Sequence, residues 1–303
     1  MPVTSIVLVP EEEPVTAAVT AGAPAPVIVQ RRTAGEACEG RMLLLHGLAN
    51  SGSVWDAYIE HGRRAGGPEV WTADLPWRGD GVATWSRRGD VVPHMADALG
   101  AVPGGAGVVV AHSMGANVLL EFLDRRLRQG VDPFAEFGIR ALVLVSPFYR
   151  RTPEEFDWET LTSSIGGFDS LMAEGIRVHS GERLPEEDRH ALGERVRDRV
   201  GPYGWLRFFE TYLATPRLAT GLFTVPCLVV AGEHDFAAPP EEGRRLAADL
   251  PDAEFRLLPD CGHFLMIEQA QRFAAVVGQF VSTSSAACPP SGTGLRASGE
   301  HDR

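Results

Sequence analysis

The stretch GVVVAHSMGANVLLEF, Gly107 to Phe122, decides the fold. Val108–Ala111 is an apolar, β-branched run that predicts a buried strand. Ser113 follows at once, flanked by the small residues Ala111 and Gly115, and a helical apolar pattern then runs over Ala116–Leu127. Strand, tight turn and helix around one serine is the sequence form of a nucleophile elbow, with the hydroxyl at the apex of a strained turn. Small neighbours are required because the turn brings backbone too close for larger side chains. The helix that starts there turns its free N–H groups and positive dipole end toward the reacting atoms. A lone serine after a strand also makes an ordinary helix N-cap, so the elbow has to be tested against its partners elsewhere in the chain.

Outward from the elbow, further apolar runs occur at Met42–Leu45, Val70–Ala73, Ala141–Val145, Cys227–Ala231 and Phe255–Leu258, with a second helical pattern at Glu241–Leu250. Buried runs alternating with helices predict an α/β fold: a mostly parallel central sheet with helices on both faces. The rhythm breaks between Phe148 and Thr224. That stretch holds Phe156, Trp158, Phe168, Trp205, Phe208, Phe209 and Tyr212 but no strand signal. Turn signals at Thr152–Pro153, Gly166–Gly167, Leu184–Pro185 and Gly201–Pro202 would cut it into short helices. The expected organisation is therefore a first core part over 1–147, a helical cap over 148–224, a second core part over 225–281 and a tail over 282–303. The tail is small, polar and Gly/Pro-rich and is expected to be disordered. The first 38 residues alternate Val and Ile with Pro, Ala and Gly and suggest edge strands joined by loops.

A formal net charge of −12 over 303 residues, with no basic stripe, argues against a nucleic-acid partner. No stretch approaches the roughly 20 apolar residues of a membrane helix. The N-terminal segment has no basic leader, so a cytoplasmic protein is expected. Cys38, Cys227, Cys261 and Cys288 show no metal-type spacing and are expected to be free thiols.

A serine nucleophile needs a base, and the base needs an orienting acid, in the chain order serine, acid, histidine. After Cys227–Ala231 comes GEHDFAAPP, and after Phe255–Leu258 comes PDCGHFLMIEQ. Asp235 and His263 thus both fall in loops at strand ends, where open α/β sheets place catalytic groups. Asp260 and His234 compete with Asp235, but Asp260 stands only three residues before His263 and suits a turn. An oxyanion hole would take the backbone N–H of Met114, after the nucleophile, and that of Leu48, in the loop of LLLHGLANSGSVWD.

HGLANSGSVW, DLPWRGDG, AHSMGA, GEHDFAAPP and CGHFLMIE together resemble the successive landmarks of the α/β-hydrolase superfamily, over residues 41 to 280. The resemblance implies a Ser113–His263–Asp235 triad, an oxyanion hole at Leu48 and Met114, and a cap over the site. The usual first glycine of the elbow is here Ala111. His46, Trp55, His112, Phe148 and Trp205 are the residues expected nearest a substrate, although structural roles compete for His46 and His112, and Trp55 could simply pack. The expected activity is hydrolysis of an ester, thioester or lactone of a moderately hydrophobic small molecule through an acyl-enzyme. The same triad could serve C–C bond hydrolysis, acyl transfer, elimination or cyclisation, and a ligand-binding protein is a third reading. The expected chemistry calls for no cofactor and no metal, and the sequence leaves the oligomeric state open.

Overall fold

The computed structural model describes residues 26–35, 40–64, 67–79, 81–85 and 89–285. The chain runs through β1 (Ile28–Arg31), β2 (Arg41–Leu45), α1 (Asp56–Arg64), β3 (Glu69–Asp74), α2 (Val82–Trp85) and α3 (Pro93–Gly100). It continues through β4 (Val108–His112), α4 (Met114–Arg128), α5 (Pro133–Phe137) and β5 (Ala141–Val145). Next come α6 (Trp158–Gly166), α7 (Phe168–Ser180) and α8 (Glu186–Leu213). The chain then completes the sheet with β6 (Cys227–Gly232), α9 (Pro240–Asp249) and β7 (Ala253–Leu258), and ends in α10 (Leu265–Glu268) and α11 (Ala270–Ser285).

Among the described residues the strands form one sheet ordered β1-β3-β2-β4-β5-β6-β7. Only the edge pair β1–β3 is antiparallel; every other neighbouring pair is parallel. The central strands β4, β5 and β6 are buried at every position, so their side chains alternate between two apolar layers instead of between core and water. Val109, Ala111, Leu142, Leu144 and Val229 join the layer built with α3, α4 and α9. Val108, Val110, Val143, Val145 and Val230 join the layer built with α1 and α11. Each such buried Val or Leu contributes about 1.5–3 kcal/mol. The expected α/β class, with helices on both faces, is the class observed.

Two boundaries differ from expectation. β7 begins at Ala253, ahead of Phe255, because its pairing with β6 already starts at Cys227↔Ala253. α11 carries the chain through 282–285, where a disordered tail was expected to start. There the Ser282 hydroxyl donates to the Gly278 carbonyl at 2.8 Å and that of Thr283 to the Phe280 carbonyl at 2.8 Å, so these polar side chains find partners within the helix. The rest of the expected tail, Cys38, Cys288 and most of the N-terminal segment lie outside the described residues. Among the described residues no helix is long and apolar enough to cross a membrane.

Between β5 and β6 the chain is helical, and all four turn signals mark element ends or breaks. α8 is broken at Gly201, whose φ of 64° and ψ of 176° are followed by Pro202, which has no N–H to continue the ladder. Phe168 and Met172 of α7 and Phe208, Phe209 and Tyr212 of α8 pack into the first apolar layer. A buried carboxylate fastens this insertion to the sheet. Glu242 of α9 accepts from the Tyr212 hydroxyl at 2.6 Å, the Tyr149 N–H at 2.8 Å and the Arg150 guanidinium at 3.2 Å. Burial raises its pKa, which these partners oppose.

Candidate active site

The parallel register brings the carboxyl ends of the strands level: Leu45 faces Ala111, His112 faces Val145, and Gly232 faces Leu258. The loops leaving β2, β4, β6 and β7 therefore meet at one edge. Ser113 sits at the β4 exit with φ 55° and ψ −130°, a conformation that non-glycine residues rarely adopt. Its N–H donates to the Val145 carbonyl at 2.8 Å, while its own carbonyl starts α4 by accepting from Ala116 and Asn117. The close approach that requires Gly115 is against β2: a Cβ there would lie 2.5 Å from the His46 carbonyl oxygen. The elbow is therefore a built feature, and no side-chain cap bond from Ser113 to α4 exists.

Ser113, His263 and Asp235 come together from three loops. The carboxylate of Asp235 can only accept, so His263 Nδ1–H donates to it, at 2.9 Å to Oδ2 and 3.1 Å to Oδ1. That leaves Nε2 unprotonated to accept the Ser113 hydroxyl at 2.9 Å. All three residues are nearly fully buried. Asp235 Oδ1 also accepts the N–H groups of Ala237 and Ala238, at 3.0 and 2.9 Å, which locks the carboxylate in its loop. Of the competitors, Asp260 and His234 are exposed, and Asp260 occupies a left-handed turn with φ 57°. Their ligand atoms and those of Glu233 lie within 4.8 Å of one another on the surface, a grouping that could hold a cation but lies outside the cleft described next.

The serine opens into a cleft of about 360 Å³, part of it open to solvent. Its floor is Gly47, Leu48, Asn50, His112 and Ser113, and its walls are Phe168, Leu171, Met172, Phe208 and Phe264. No lysine or arginine is among the described residues lining it. Leu48 lines the cleft beside Ser113, Met114 follows Ser113 at the start of α4, and neither N–H is among the backbone donors of the described turns and loops.

Of the five residues expected nearest a substrate, the structure places only His112 in the cleft lining. His46 is fully buried beneath it, donating through Nδ1 to the Gly47 carbonyl at 2.7 Å and accepting the Leu75 N–H on Nε2 at 2.9 Å. Trp55 is fully buried in the other layer, stacked on Phe273 and edge-on to His112. Trp205 stacks on Phe209 at 4.8 Å and stays in the insertion. Phe148 does not line the cleft but backs it, its ring 5.9 Å from His263 and 4.8 Å from Phe208. Trp55 and Phe148 are taken up by water-free packing, which their ring size rewards, while Trp205 stays half-buried and His46 is held by its two hydrogen bonds. His112 itself donates through Nε2 to the His263 carbonyl at 2.9 Å, and burial above all holds it neutral. Cys227 and Cys261 are buried thiols, each pushed up to about 12 chiefly by burial, which makes them inert as nucleophiles.

Sequence reasoning missed Asn50, Leu171, Met172 and Phe264 as lining residues. Phe264 was readable as the neighbour of His263. Leu171 and Met172 carried no mark that separates cleft-facing from core-facing residues of α7.

The sequence matches the alpha/beta hydrolase family over residues 42–276. The chain belongs to that family and is an enzyme. It is 24% identical to 2-hydroxy-6-oxononadienedioate/2-hydroxy-6-oxononatrienedioate hydrolase 2 of Pseudomonas putida, over 82% of this chain and 89% of that protein. It is 25% identical to 2-hydroxy-6-oxo-6-phenylhexa-2,4-dienoate hydrolase of Burkholderia cepacia, over 80% of this chain and 87% of the relative. Among solved structures, an esterase from Exiguobacterium antarcticum superimposes with a TM-score of 0.60 at 15% identity, covering 84% of this chain and 95% of that one. At that identity the likeness speaks for the fold alone.

Proposed function

We propose that this protein is a serine hydrolase acting on a small, uncharged, moderately hydrophobic ester, thioester or lactone. The observation that carries the reading is the buried hydrogen-bond chain Ser113–His263–Asp235 at the floor of an apolar cleft. Ser113 Oγ attacks the carbonyl carbon while its proton passes to His263 Nε2. The N–H groups of Leu48 and Met114 stabilise the oxyanion, and Asp235 holds the imidazole in the tautomer that accepts. The protonated His263 gives its proton to the leaving group, and water then resolves the acyl-enzyme with His263 again as base. Residues 148–224 act as the cap, since α7 and α8 supply the cleft walls. The absence of any basic side chain among the described lining residues favours a neutral acyl group over an anionic one.

Treatment with a fluorophosphonate probe is expected to place one adduct on Ser113 and none on the Ser113→Ala variant. An unlabelled wild type, or equal labelling of both, defeats the proposal. The names of the two curated relatives favour a second reading, in which the same triad hydrolyses a C–C bond next to a ketone. A chain that is labelled at Ser113, ignores neutral aryl esters and cleaves a 2-hydroxy-6-oxo-dienoate would support that second reading.

A further inference from the structure

The backbone around His263 is gripped by one side chain that the proposed chemistry does not use. The N–H groups of Gly262 and Phe264, the residues on either side of His263, both donate to Glu268 Oε1, at 3.2 and 3.3 Å. The His263 carbonyl between them is taken by His112 at 2.9 Å. Glu268 is itself anchored: its second oxygen accepts the Arg177 guanidinium at 3.1 Å. Arg177 belongs to α7 and makes a fork with Glu174 on the same helix, at 2.7 and 2.6 Å. α7 also touches the base loop directly, for a Cβ on Gly175 would lie 3.3 Å from Phe264 Cζ. The same helix provides Phe168, Leu171 and Met172 of the cleft wall.

We infer that Glu268 is a positioning residue for His263, and that Arg177 ties its setting to the helix walling the cleft. The inference rests on the reading of His263 as the base. The loop between β7 and α10 has no strand partner for the amides of Gly262 and Phe264, so their direction is set by whatever accepts them. One carboxylate oxygen straddling His263 fixes the plane of both adjoining peptides, and with them the Cα–Cβ direction of the imidazole. Charge-assisted bonds of this kind are roughly twice as strong as neutral ones. Arg177 lies between two carboxylates that both approach the Gly262 backbone, with Glu268 and Glu174 oxygens 3.6 and 3.7 Å from the place of a Cβ there. Its positive charge keeps them from repelling one another and holds the carboxylate in its two-amide position. Binding of an acyl group against α7 is thereby coupled to the alignment of the base.

The test compares Glu268→Met, which fills the volume but accepts nothing, Glu268→Asp, which withdraws the acceptor by one methylene, and Glu268→Gln, which keeps a carbonyl in place. Each is checked for folding by circular dichroism, then assayed for the rate of fluorophosphonate labelling at Ser113 and for kcat and KM on a neutral aryl ester. Misplacing a catalytic group by about 1 Å costs about a hundredfold, so Glu268→Met is expected to lose about that much in kcat and labelling rate. Glu268→Asp is expected to lose about tenfold, Glu268→Gln to recover most of the rate, and KM to stay within about twofold throughout. Met and Asp variants that label like wild type, a loss confined to KM, or a Gln variant as slow as the Met variant would overturn the inference. Should the Met variant not fold, the comparison of Asp with Gln decides on the same criteria. Failure of wild type to label at all sinks the serine-hydrolase reading instead, so the two failures are told apart.

Discussion

Replacing Gly115 by alanine puts a methyl where main-chain atoms already stand. The new Cβ would lie 2.5 Å from the His46 carbonyl oxygen and 3.2 Å from its carbon. Carbon–oxygen contacts settle near about 3.3 Å, so α4 and the β2 exit must separate by roughly 0.8 Å. Neither side yields easily. His46 is pinned by Leu75 and Gly47, and the start of α4 is pinned through Ser113 to the Val145 carbonyl. Overpacking of this kind costs about 1–3 kcal/mol of stability, which lowers the melting temperature by about 2–4 °C per kcal/mol in a domain of this size. The larger effect is on the proposed oxyanion hole. One donor, Met114, rides on α4 and the other, Leu48, follows His46, so any separation pulls the two N–H groups apart. Loss of one such donor costs about 10²–10³ in kcat, and a partial displacement places Gly115→Ala near a hundredfold. The loss belongs in kcat, because the donors are engaged most strongly in the transition state. Steady-state kinetics on a neutral aryl ester, with thermal melting as the folding control, measures both. A folded Gly115→Ala protein with wild-type kcat would show that the Leu48–Met114 spacing does not govern the reaction.

Two further variants probe the supports. Burial, above all, lowers His46 from its ordinary 6.5 to about 4, so the folded protein stays neutral there where the unfolded chain takes up a proton. The stability this group provides is complete above its unfolded pKa and is lost as pH falls through its folded one, by up to roughly 3 kcal/mol. Urea unfolding at about pH 7.5 and about pH 4.5 is expected to show a smaller difference in His46→Gln than in wild type, and equal differences would acquit His46. Asn117→Leu removes the amide that donates to the Phe148 carbonyl at 2.8 Å and accepts its N–H at 3.1 Å. Two buried backbone groups are then unpaired, at about 1–3 kcal/mol each. The Phe148 ring, freed from its seat against His263, should also lower kcat; wild-type stability and rate together would refute that support.

How much of this was legible in the sequence follows from which features are local. The elbow, the acid and the base each announce themselves within a few residues, because a strand must end before a loop can present a side chain, and β-branched runs mark those ends. Ser113, Asp235 and His263 were therefore singled out in order, and the structure brings their side chains together; Asp260, weighed as a turn residue, stands in a left-handed turn. The cleft is different in kind. Its walls depend on how α7 and α8 roll onto the sheet, and a rotation of α7 by about 100°, one residue's worth, exchanges a cleft-facing Met172 for a more exposed neighbour without altering the apolar pattern. Size misleads there: Trp55 drew notice for its large ring but is fully buried in the other layer, and Trp205 stacks half-buried on Phe209, while Phe264, Leu171 and Asn50 line the cleft. Glu268 shows the remaining limit. It stands in the quoted CGHFLMIE as a landmark, five residues past His263, but its role lies in reaching back to two amides while Arg177 reaches across from α7. A spacing of five residues becomes a clamp only because α10 is a single turn that folds the chain onto itself. That makes the short helix after the base, and not the loop before it, the element on which the alignment of His263 depends.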